Sequence, residues 1–219
     1  MSASKKLKLG VLASGGGTNL QSIIDQCQQQ QIDAEIVLVL CNNPGAGALD
    51  RAEKAGLPNT CINHRDFEAR EAFDEAVVAA LQEAGVELVV LAGFMRIISE
   101  VFVAAFPNRI INIHPALLPS FPGLHVQKKA IEYGARFSGC TVHFVDTGVD
   151  TGPIIMQAVV PILDEDTEDS LAARILQQEH KIYPRAIQLI AEDRIKIDGR
   201  RVRIDDSVDA EAALINPPL

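Results

Sequence analysis

Short apolar runs alternate with longer amphipathic stretches along most of the chain, and this alternation constrains the fold more than any other feature. The apolar runs have strand length and are rich in Val, Ile and Leu: LKLGVLA, AEIVLVLC, NTCINH, ELVVLAG, RIINIHP and CTVHFVD. Helical spacing fills the intervals of about 18–30, 46–56, 68–84, 97–106 and 125–134. The first runs are almost wholly apolar, as in strands covered on both faces. The pattern predicts an α/β fold: a mostly parallel, twisted sheet with helices on both faces.

The pattern changes after Asp146. PIIMQAVVPI predicts a strand with no helix before it, which indicates antiparallel additions to the sheet. A long helix from about Ser170 to Asp193 follows, and Pro184 should kink or divide it because proline lacks the amide donor. IKIDGRRVRI predicts a hairpin about Asp198-Gly199. We expect a single domain over 1–219, with halves of about 1–110 and 111–195 and a hairpin and tail of about 196–219.

Charge and composition exclude several classes of protein. The net charge is −9, whereas general binders of nucleic acid or membrane surfaces rely on excess Lys and Arg. We therefore expect neither partner, and an anionic substrate has to be captured locally. The amino-terminal stretch fits neither a signal peptide nor a membrane span, which favours the cytoplasm. The four cysteines are scattered without the close pairs that zinc sites use, so no metal is expected.

A glycine-rich turn, SGGGTN, lies where the first apolar run gives way to a helix. Glycines let several backbone amides face inwards and the helix adds its positive end, so a phosphate group can bind there without a lysine. The turn matches neither the dinucleotide fingerprint nor the P-loop pattern. The alternative is a tight strand-to-helix turn in which Thr18 or Asn19 caps the helix. The turn by itself supports both interpretations equally.

Asn112 and His114 lie two residues apart at the end of the run RIINIHP, so strand alternation directs both side chains to the same face. Ligand crevices in open α/β sheets lie at this carboxyl end. Pro115, Pro119 and Pro122 restrict the loop that follows. A single histidine in a strand is usually structural, but Asn and His together at this edge predict a catalytic site.

A second strand end, HFVDTGVDTGPI, opens into a glycine-containing loop with two carboxylates, Asp146 and Asp150. If the two strands are neighbours, these carboxylates can approach the Asn/His pair. A carboxylate beside an imidazole favours the charged ring, which is a proton donor. The alternative is a turn in which Asp satisfies backbone amides and has no catalytic role.

NIHPALLPSFPGLH, HFVDTGVDTGPI, AGFMRIIS and SGGGTN occur in an order and spacing that resembles the glycinamide ribonucleotide transformylases along nearly the whole chain. The resemblance implies a Rossmann-like formyltransferase fold and 10-formyltetrahydrofolate as the formyl donor, with no metal. It implies formyl transfer to the amine of glycinamide ribonucleotide in purine synthesis. The first half would bind the phosphate and the second half would be catalytic and bind folate. The implied partners are small molecules, and a homodimer rests on the resemblance alone.

The resemblance also implies roles for individual residues. The catalytic set falls on Asn112, His114 and Asp150, with Asp150 as the carboxylate that keeps His114 charged. The contacts to the substrate phosphate and ribose fall on Gly15, Gly16, Gly17, Thr18, Asn19 and Glu179. The folate contacts fall on Arg70, Met95, Arg96, Ile97, Ile98, Asn112, Asp146, Thr147, Gly148, Val149 and Asp150. Of these residues, Arg70 and Glu179 rest on the shorter sequence matches.

Two other functions remain as alternatives. Formyltetrahydrofolate deformylases carry a similar Asn-His-Asp set and hydrolyse the same cofactor, but resemble this domain preceded by a regulatory domain, whereas this chain begins on its first strand. A catalytically silent nucleotide-binding module would use the glycine-rich turn and the sheet, but would leave Asn112, His114 and Asp150 without a role. We therefore expect a transferase.

Overall fold

A computed structural model describes residues 5–204 of the chain. Nine strands form one sheet: β1 (Leu7–Ala13), β2 (Ala34–Cys41), β3 (Asn59–Cys61), β4 (Leu88–Leu91), β5 (Ile110–His114), β6 (Phe137–Phe144), β7 (Ile154–Pro161), β8 (Ile195–Asp198) and β9 (Arg201–Ile204). Six α-helices surround it: α1 (Thr18–Gln28), α2 (Gly47–Lys54), α3 (Arg70–Glu83), α4 (Glu100–Ala105), α5 (Val126–Tyr133) and α6 (Glu168–Ala191).

The strand order is β3-β2-β1-β4-β5-β6-β7-β9-β8. The first five strands in this order are parallel, whereas β6 is antiparallel to both of its neighbours. The last two strands form the hairpin predicted at Asp198-Gly199. The mostly parallel sheet with antiparallel additions is thus confirmed, and the predicted tail beyond 204 lies outside the described residues.

Two apolar clusters cover the two faces of the sheet. One combines side chains of α1, α2, α5 and α6 with the strands, and the other combines α3 and α4 with the opposite face. Central strands such as β4 are buried along their whole length, which explains why their sequences are apolar without alternation. The helices on both faces are therefore confirmed.

The long helix α6 packs under the carboxyl ends of the central strands. The Tyr183 side chain is buried, and its hydroxyl lies 3.0 Å from the carbonyl oxygen of Leu91 in β4 and 3.1 Å from that of Ile111 in β5. A buried hydroxyl needs such acceptors. This contact fixes α6 against β4 and against β5, the strand that carries Asn112 and His114.

Of the two outcomes predicted for Pro184, division of the helix is wrong, because α6 continues through it to Ala191; the kink stays a prediction. Proline cannot donate to the carbonyl four residues earlier, which belongs to His180. The hydroxyl of Ser22 on α1 donates to that carbonyl at 3.0 Å. A neighbouring helix thus supplies the missing donor. The sequence around Pro184 does not reveal this contact.

The strand predicted for NTCINH is also shorter than expected. β3 ends at Cys61, and a 3-10 turn follows at His64–Asp66. The side chain of Asn63 accepts a hydrogen bond from the Arg65 amide at 3.1 Å. Asn often bonds to the backbone two residues on and so favours a turn over a strand.

Candidate active site

The glycine-rich turn directs its carbonyls towards α2. The carbonyl oxygen of Gly15 accepts from the Ala48 amide at 3.0 Å, and that of Gly16 accepts from Nε of Arg51 at 2.7 Å. Since C=O and N–H point in opposite directions in a trans peptide, the amides of Gly16 and Gly17 face away from α2. Among residues 5–204, neither amide donates to a protein acceptor. The turn therefore offers backbone donors next to the amino end of α1, as an anion site requires.

The residue that caps α1 is Gly17, so the alternative in which Thr18 or Asn19 is the cap is wrong. Gly17 has φ 70°, and a Cβ there would lie 2.8 Å from the Ala48 backbone. Only glycine tolerates both conditions. Thr18 is the first residue of the helix. Because Asn19 does not cap the helix, its side chain can bond to another partner.

That partner is Glu179 on α6, whose Oε2 accepts from Nδ2 of Asn19 at 2.7 Å. Burial raises the pKa of Glu179, while the bond from Asn19 opposes this shift. The structure thus joins the predicted phosphate turn to the predicted ribose contact, although they are 160 positions apart in the chain.

A cavity of about 580 Å³, which we call the glycine-turn cavity, opens beside this turn. Its lining residues are Ser14, Gly15, Gly16, Asn43, Pro44, Gly45, Ala46, Gly47, Asn63 and Arg65. Gly15 and Gly16 belong to the predicted phosphate set, whereas Gly17, Thr18, Asn19 and Glu179 lie outside the lining. The lining contains no carboxylate in a chain with 29 acidic residues, and its one charged side chain, Arg65, is cationic.

Asn112, His114 and Asp150 come together at the ends of β5 and β6. His114 is 5% exposed, and its Nδ1 lies 3.4 Å from Oδ2 of Asp150. Its Nε2 lies 2.9 Å from the carbonyl oxygen of Phe121. Both neighbours are acceptors, so the doubly protonated ring is the form that can donate to both at once.

His143 is a member of this group that sequence reasoning did not single out. It pairs directly opposite Asn112 in the antiparallel ladder, and its Nε2 lies 3.2 Å from Nδ2 of Asn112. Its Nδ1 lies 2.8 Å from the carbonyl oxygen of Phe144, which can only accept. Nδ1 therefore carries the proton and Nε2 accepts from the Asn112 amide. Burial lowers the pKa of His143, which stabilises this neutral form.

The loop after β6 places the two carboxylates differently. Oδ1 of Asp146 accepts from the Gly148 amide and the Thr151 hydroxyl, as expected of a turn in which Asp satisfies backbone amides. Asp150 has φ 55°, and besides His114 it contacts the Gly123 amide at 2.9 Å. At Gly152 a Cβ would lie 1.8 Å from the Phe144 carbonyl oxygen. The loop thus closes tightly on β6 and directs Asp150 towards the histidines.

A second cavity of about 110 Å³, the Asn112 cavity, opens at the same edge of the sheet. Its lining residues are Leu91, Phe94, Arg96, Ile97, Ile98, Asn112, His143, Val145, Asp146, Gly148, Val149 and Asp150. Eight of the eleven predicted folate contacts are in this set. The other three, Arg70, Met95 and Thr147, lie outside the lining; Arg70 begins α3 and pairs with Glu71 at 3.2 Å. The lining combines apolar side chains with a few polar groups, which is the composition typical of ligand sites.

The arrangement and the apolar character of the side chains in residues 5–204 bear on metal binding and on membrane crossing. No cluster of three or more His, Cys, Asp or Glu side chains in this range is arranged to hold a metal ion. None of its helices combines the length and the apolar character that a membrane crossing requires.

The chain matches the family model described as "Formyl transferase" over residues 7–187. It is 41% identical to phosphoribosylglycinamide formyltransferase of Escherichia coli, with 90% of this chain and 96% of the relative covered. It is 51% identical to the trifunctional purine biosynthetic protein adenosine-3 of Drosophila melanogaster over 87% of this chain. The chain spans only 14% of the length of that larger relative.

The fold has a close counterpart among solved structures. The crystal structure of glycinamide ribonucleotide transformylase 1 from Symbiobacterium toebii superimposes with a TM-score of 0.91 at 50% identity, over 94% of this chain and 96% of the other. The crystal structure of phosphoribosylglycinamide formyltransferase from Anaplasma phagocytophilum gives a TM-score of 0.86 at 42% identity, over 94% of this chain and 97% of the other. With the family model matching most of its length, the chain belongs to the formyl transferase family.

Proposed function

We propose that the protein transfers the formyl group of 10-formyltetrahydrofolate to the amine of glycinamide ribonucleotide, as a phosphoribosylglycinamide formyltransferase of purine biosynthesis. The observation that carries this proposal is the grouping of Asn112, His114 and Asp150: Asn112 and Asp150 line the Asn112 cavity, and His114 contacts Asp150 from outside the lining. The names of the relatives support the same reaction. Both substrates are small molecules.

Asn112 supplies a donor for the oxyanion. When the amine attacks the formyl carbon, the carbonyl oxygen becomes negatively charged and needs preorganised donors. One Nδ2 proton of Asn112 is directed to His143, which fixes the orientation of the amide. The second Nδ2 proton is then free for the oxyanion. In other enzymes the loss of one such donor lowers kcat by roughly 10²–10³-fold.

His114 and Asp150 move the protons. The attacking amine must lose a proton and the folate nitrogen must gain one as the tetrahedral intermediate collapses. A histidine that contacts a carboxylate at 3.4 Å can donate and recover a proton without a covalent intermediate. Holding the donor and acceptor side by side supplies much of the remaining acceleration.

The two substrates fit different parts of the sheet edge. The apolar walls of the Asn112 cavity suit the ring system of the folate, with Arg96 and Asp146 as polar groups. The free amides of the glycine-rich turn suit the phosphate of the ribonucleotide, and Glu179 with Asn19 suits its ribose hydroxyls. This arrangement captures an anion by local donors in a protein of net charge −9.

The decisive experiment is a spectroscopic assay of folate release from 10-formyltetrahydrofolate, with and without glycinamide ribonucleotide, for wild type and His114→Ala. We expect release that requires the ribonucleotide and falls by about 10²-fold or more in the variant. Thermal unfolding should show that the variant is folded. Release without the ribonucleotide would indicate a hydrolase, and no release at all would indicate a binding module.

A further inference from the structure

The segment Gly93–Ser99, which we call the cavity segment, connects β4 to α4 and forms one wall of the Asn112 cavity. It has no regular structure, so its shape depends on contacts with other elements. At its start, the Ser14 amide donates to the Gly93 carbonyl at 3.1 Å and the Met95 amide donates to Oγ of Ser14 at 2.7 Å. The glycine-rich turn therefore fixes the first end.

A buried carboxyl group fixes the other end. Oδ2 of Asp74, on α3, accepts from the Ser99 amide at 2.5 Å. Ser99 precedes the first residue of α4, where a Glu or Gln three residues later can bond to the same amide. That position is Phe102, which is buried in the core. Asp74 thus provides from another helix the acceptor that α4 itself lacks.

The burial of Asp74 is costly and is not offset by other contacts. The residue is 0% exposed, and it forms no ion pair within the described part of the chain. Its second oxygen has no hydrogen-bonding partner there, and neither does the Ser99 hydroxyl. Burying a carboxyl group with one bond costs free energy that an apolar side chain would not. A contribution to stability alone is therefore a poor explanation for an acid at this position.

The elements next to Asp74 all belong to the predicted folate side of the site. One helical turn earlier, α3 begins with Arg70, and residues four apart lie on the same face of a helix. The ring of Phe73 lies 5.9 Å from the Arg96 guanidinium, which lines the Asn112 cavity. The bond from Ser99 to Asp74 therefore fixes the cavity segment relative to the start of α3.

We propose that Asp74 is a positioning residue for folate: it holds the cavity segment, and with it Arg96 to Ile98, in the shape that receives the formyl donor. This inference rests on the proposed function. Asp74 lines neither cavity, so it acts through the Ser99 amide and not through substrate. Among residues 5–204 no hydrogen bond joins the glycine-rich turn to Asp74, and the bonds of Ser14 to the cavity segment do not involve Asp74, so we expect ribonucleotide binding to be retained without it.

The test compares Asp74→Ala and Asp74→Asn with wild type. Asp74→Ala should raise KM for 10-formyltetrahydrofolate about tenfold or more, as expected for loss of a buried bond. KM for glycinamide ribonucleotide and kcat should stay within about twofold. Asp74→Asn keeps an acceptor oxygen and should recover most of the affinity.

Asp166→Ala is the control, because Asp166 pairs with Arg174 at 2.7 Å beyond the far end of β7. It should lower the melting temperature without changing either KM.

A second measurement uses binding without turnover: isothermal titration calorimetry gives the Kd of tetrahydrofolate and, as the ligand of the glycine-rich turn, that of inorganic phosphate. We expect Asp74→Ala to weaken folate binding and leave phosphate binding unchanged. If Asp74→Ala does not fold, Asp74→Asn and its Kd decide. Equal weakening of both ligands, or an unchanged Kd for folate, would overturn the inference. If the wild-type protein binds tetrahydrofolate but does not transfer the formyl group, the result counts against the proposed function and not against the role of Asp74.

Discussion

The two histidines at the edge of the sheet differ in what their ring nitrogens contact. His114 lies between a carboxylate and a carbonyl, whereas His143 lies between a carbonyl and the Asn112 amide. The first set can accept from both ring nitrogens, whereas in the second the Asn112 amide donates to Nε2, which favours a neutral ring although Oδ1 of Asp150 lies 3.8 Å from the same nitrogen. In the proposed reaction, His114 would exchange protons while His143 orients the Asn112 amide.

The pH dependence of stability should report the neutral state of His143. Burial lowers its pKa in the folded protein, while Asp150, Asp146 and the Phe144 carbonyl oppose the shift and His114 adds to it. In the unfolded chain the pKa returns to about 6.5. The unfolded state then binds the proton first as pH falls, so the stabilising contribution is complete above about pH 6.5 and is lost below it. Urea unfolding from pH 8 to 5 should show this loss in wild type.

His143→Asn is the variant for comparison, since it retains a polar side chain without a titrating group. Its free energy of unfolding should be lower at pH 8 and should fall less steeply towards pH 5. Because Asp150, Asp146 and His114 are present in both proteins, the difference between the two slopes reports on His143. Parallel slopes would show that His143 is not held neutral.

Residues at strand ends were the most predictable part of the site. Asn112, His114 and Asp150 carry a local signal, because polar side chains at the carboxyl end of an apolar strand have few structural reasons to be there. Ser14 and His143 lie in motifs that the sequence marks, but their partners are not marked, and Asp74 carries no local signal. Each acts through a partner from another element: His143 through the register of β5 with β6, Asp74 through Ser99, and Ser14 through Met95. Such pairings arise from tertiary packing, which one sequence does not display.

Among the elements, α6 shows how a neighbour can replace a local rule. Proline in a helix interior removes one hydrogen bond and costs about 3 kcal/mol in an isolated helix. Here the carbonyl of His180 accepts from Ser22 on α1, and Tyr183 beside the proline is bonded to the sheet. The helix remains continuous because these tertiary contacts compensate for the missing amide.

A double-mutant cycle should measure this compensation. Ser22→Ala in wild type leaves the His180 carbonyl without a donor and should lower the free energy of unfolding by about 1 kcal/mol. In a Pro184→Ala background the new amide can donate to the same carbonyl, so Ser22→Ala should cost close to zero. The two changes are coupled through one acceptor. Equal costs in both backgrounds, measured by urea unfolding, would show that the Ser22 bond does not replace the missing one.

The boundaries of the elements were predictable to different degrees. The long helix, the hairpin and the buried parallel strands have strong periodic or turn signals, and all are present. The end of β3 was not predictable, because INH continues an apolar and polar pattern compatible with a strand. The Asn63 side chain and the contact of His64 with Asn42 decide it, and both depend on side chains in three dimensions.

At the scale of the whole molecule, the sheet gathers distant segments along one edge. The glycine-turn cavity follows β1, β2 and β3, and the Asn112 cavity follows β4, β5 and β6. Ser14, at the end of β1, lies between the two. Its Oγ donates to Oδ1 of Asn42 at 2.6 Å and accepts from the Met95 amide at 2.7 Å. One hydroxyl therefore joins both halves of the site.

Ser14→Ala should consequently affect both substrates, unlike a change at Asp74. Loss of the hydroxyl leaves the Met95 amide and the Asn42 oxygen without their partner, at a cost of about 1–3 kcal/mol for a buried group. That cost should appear as a severalfold rise in KM for the folate and for the ribonucleotide, with kcat changed less. Initial-rate kinetics with each substrate varied in turn would measure it. The carbonyl of Ser14, which accepts from Asn43, is unaffected by the substitution, so the turn itself should stay folded. If only one KM rose, the two halves of the site would be organised independently, and the sheet edge would act as two separate binding surfaces rather than one.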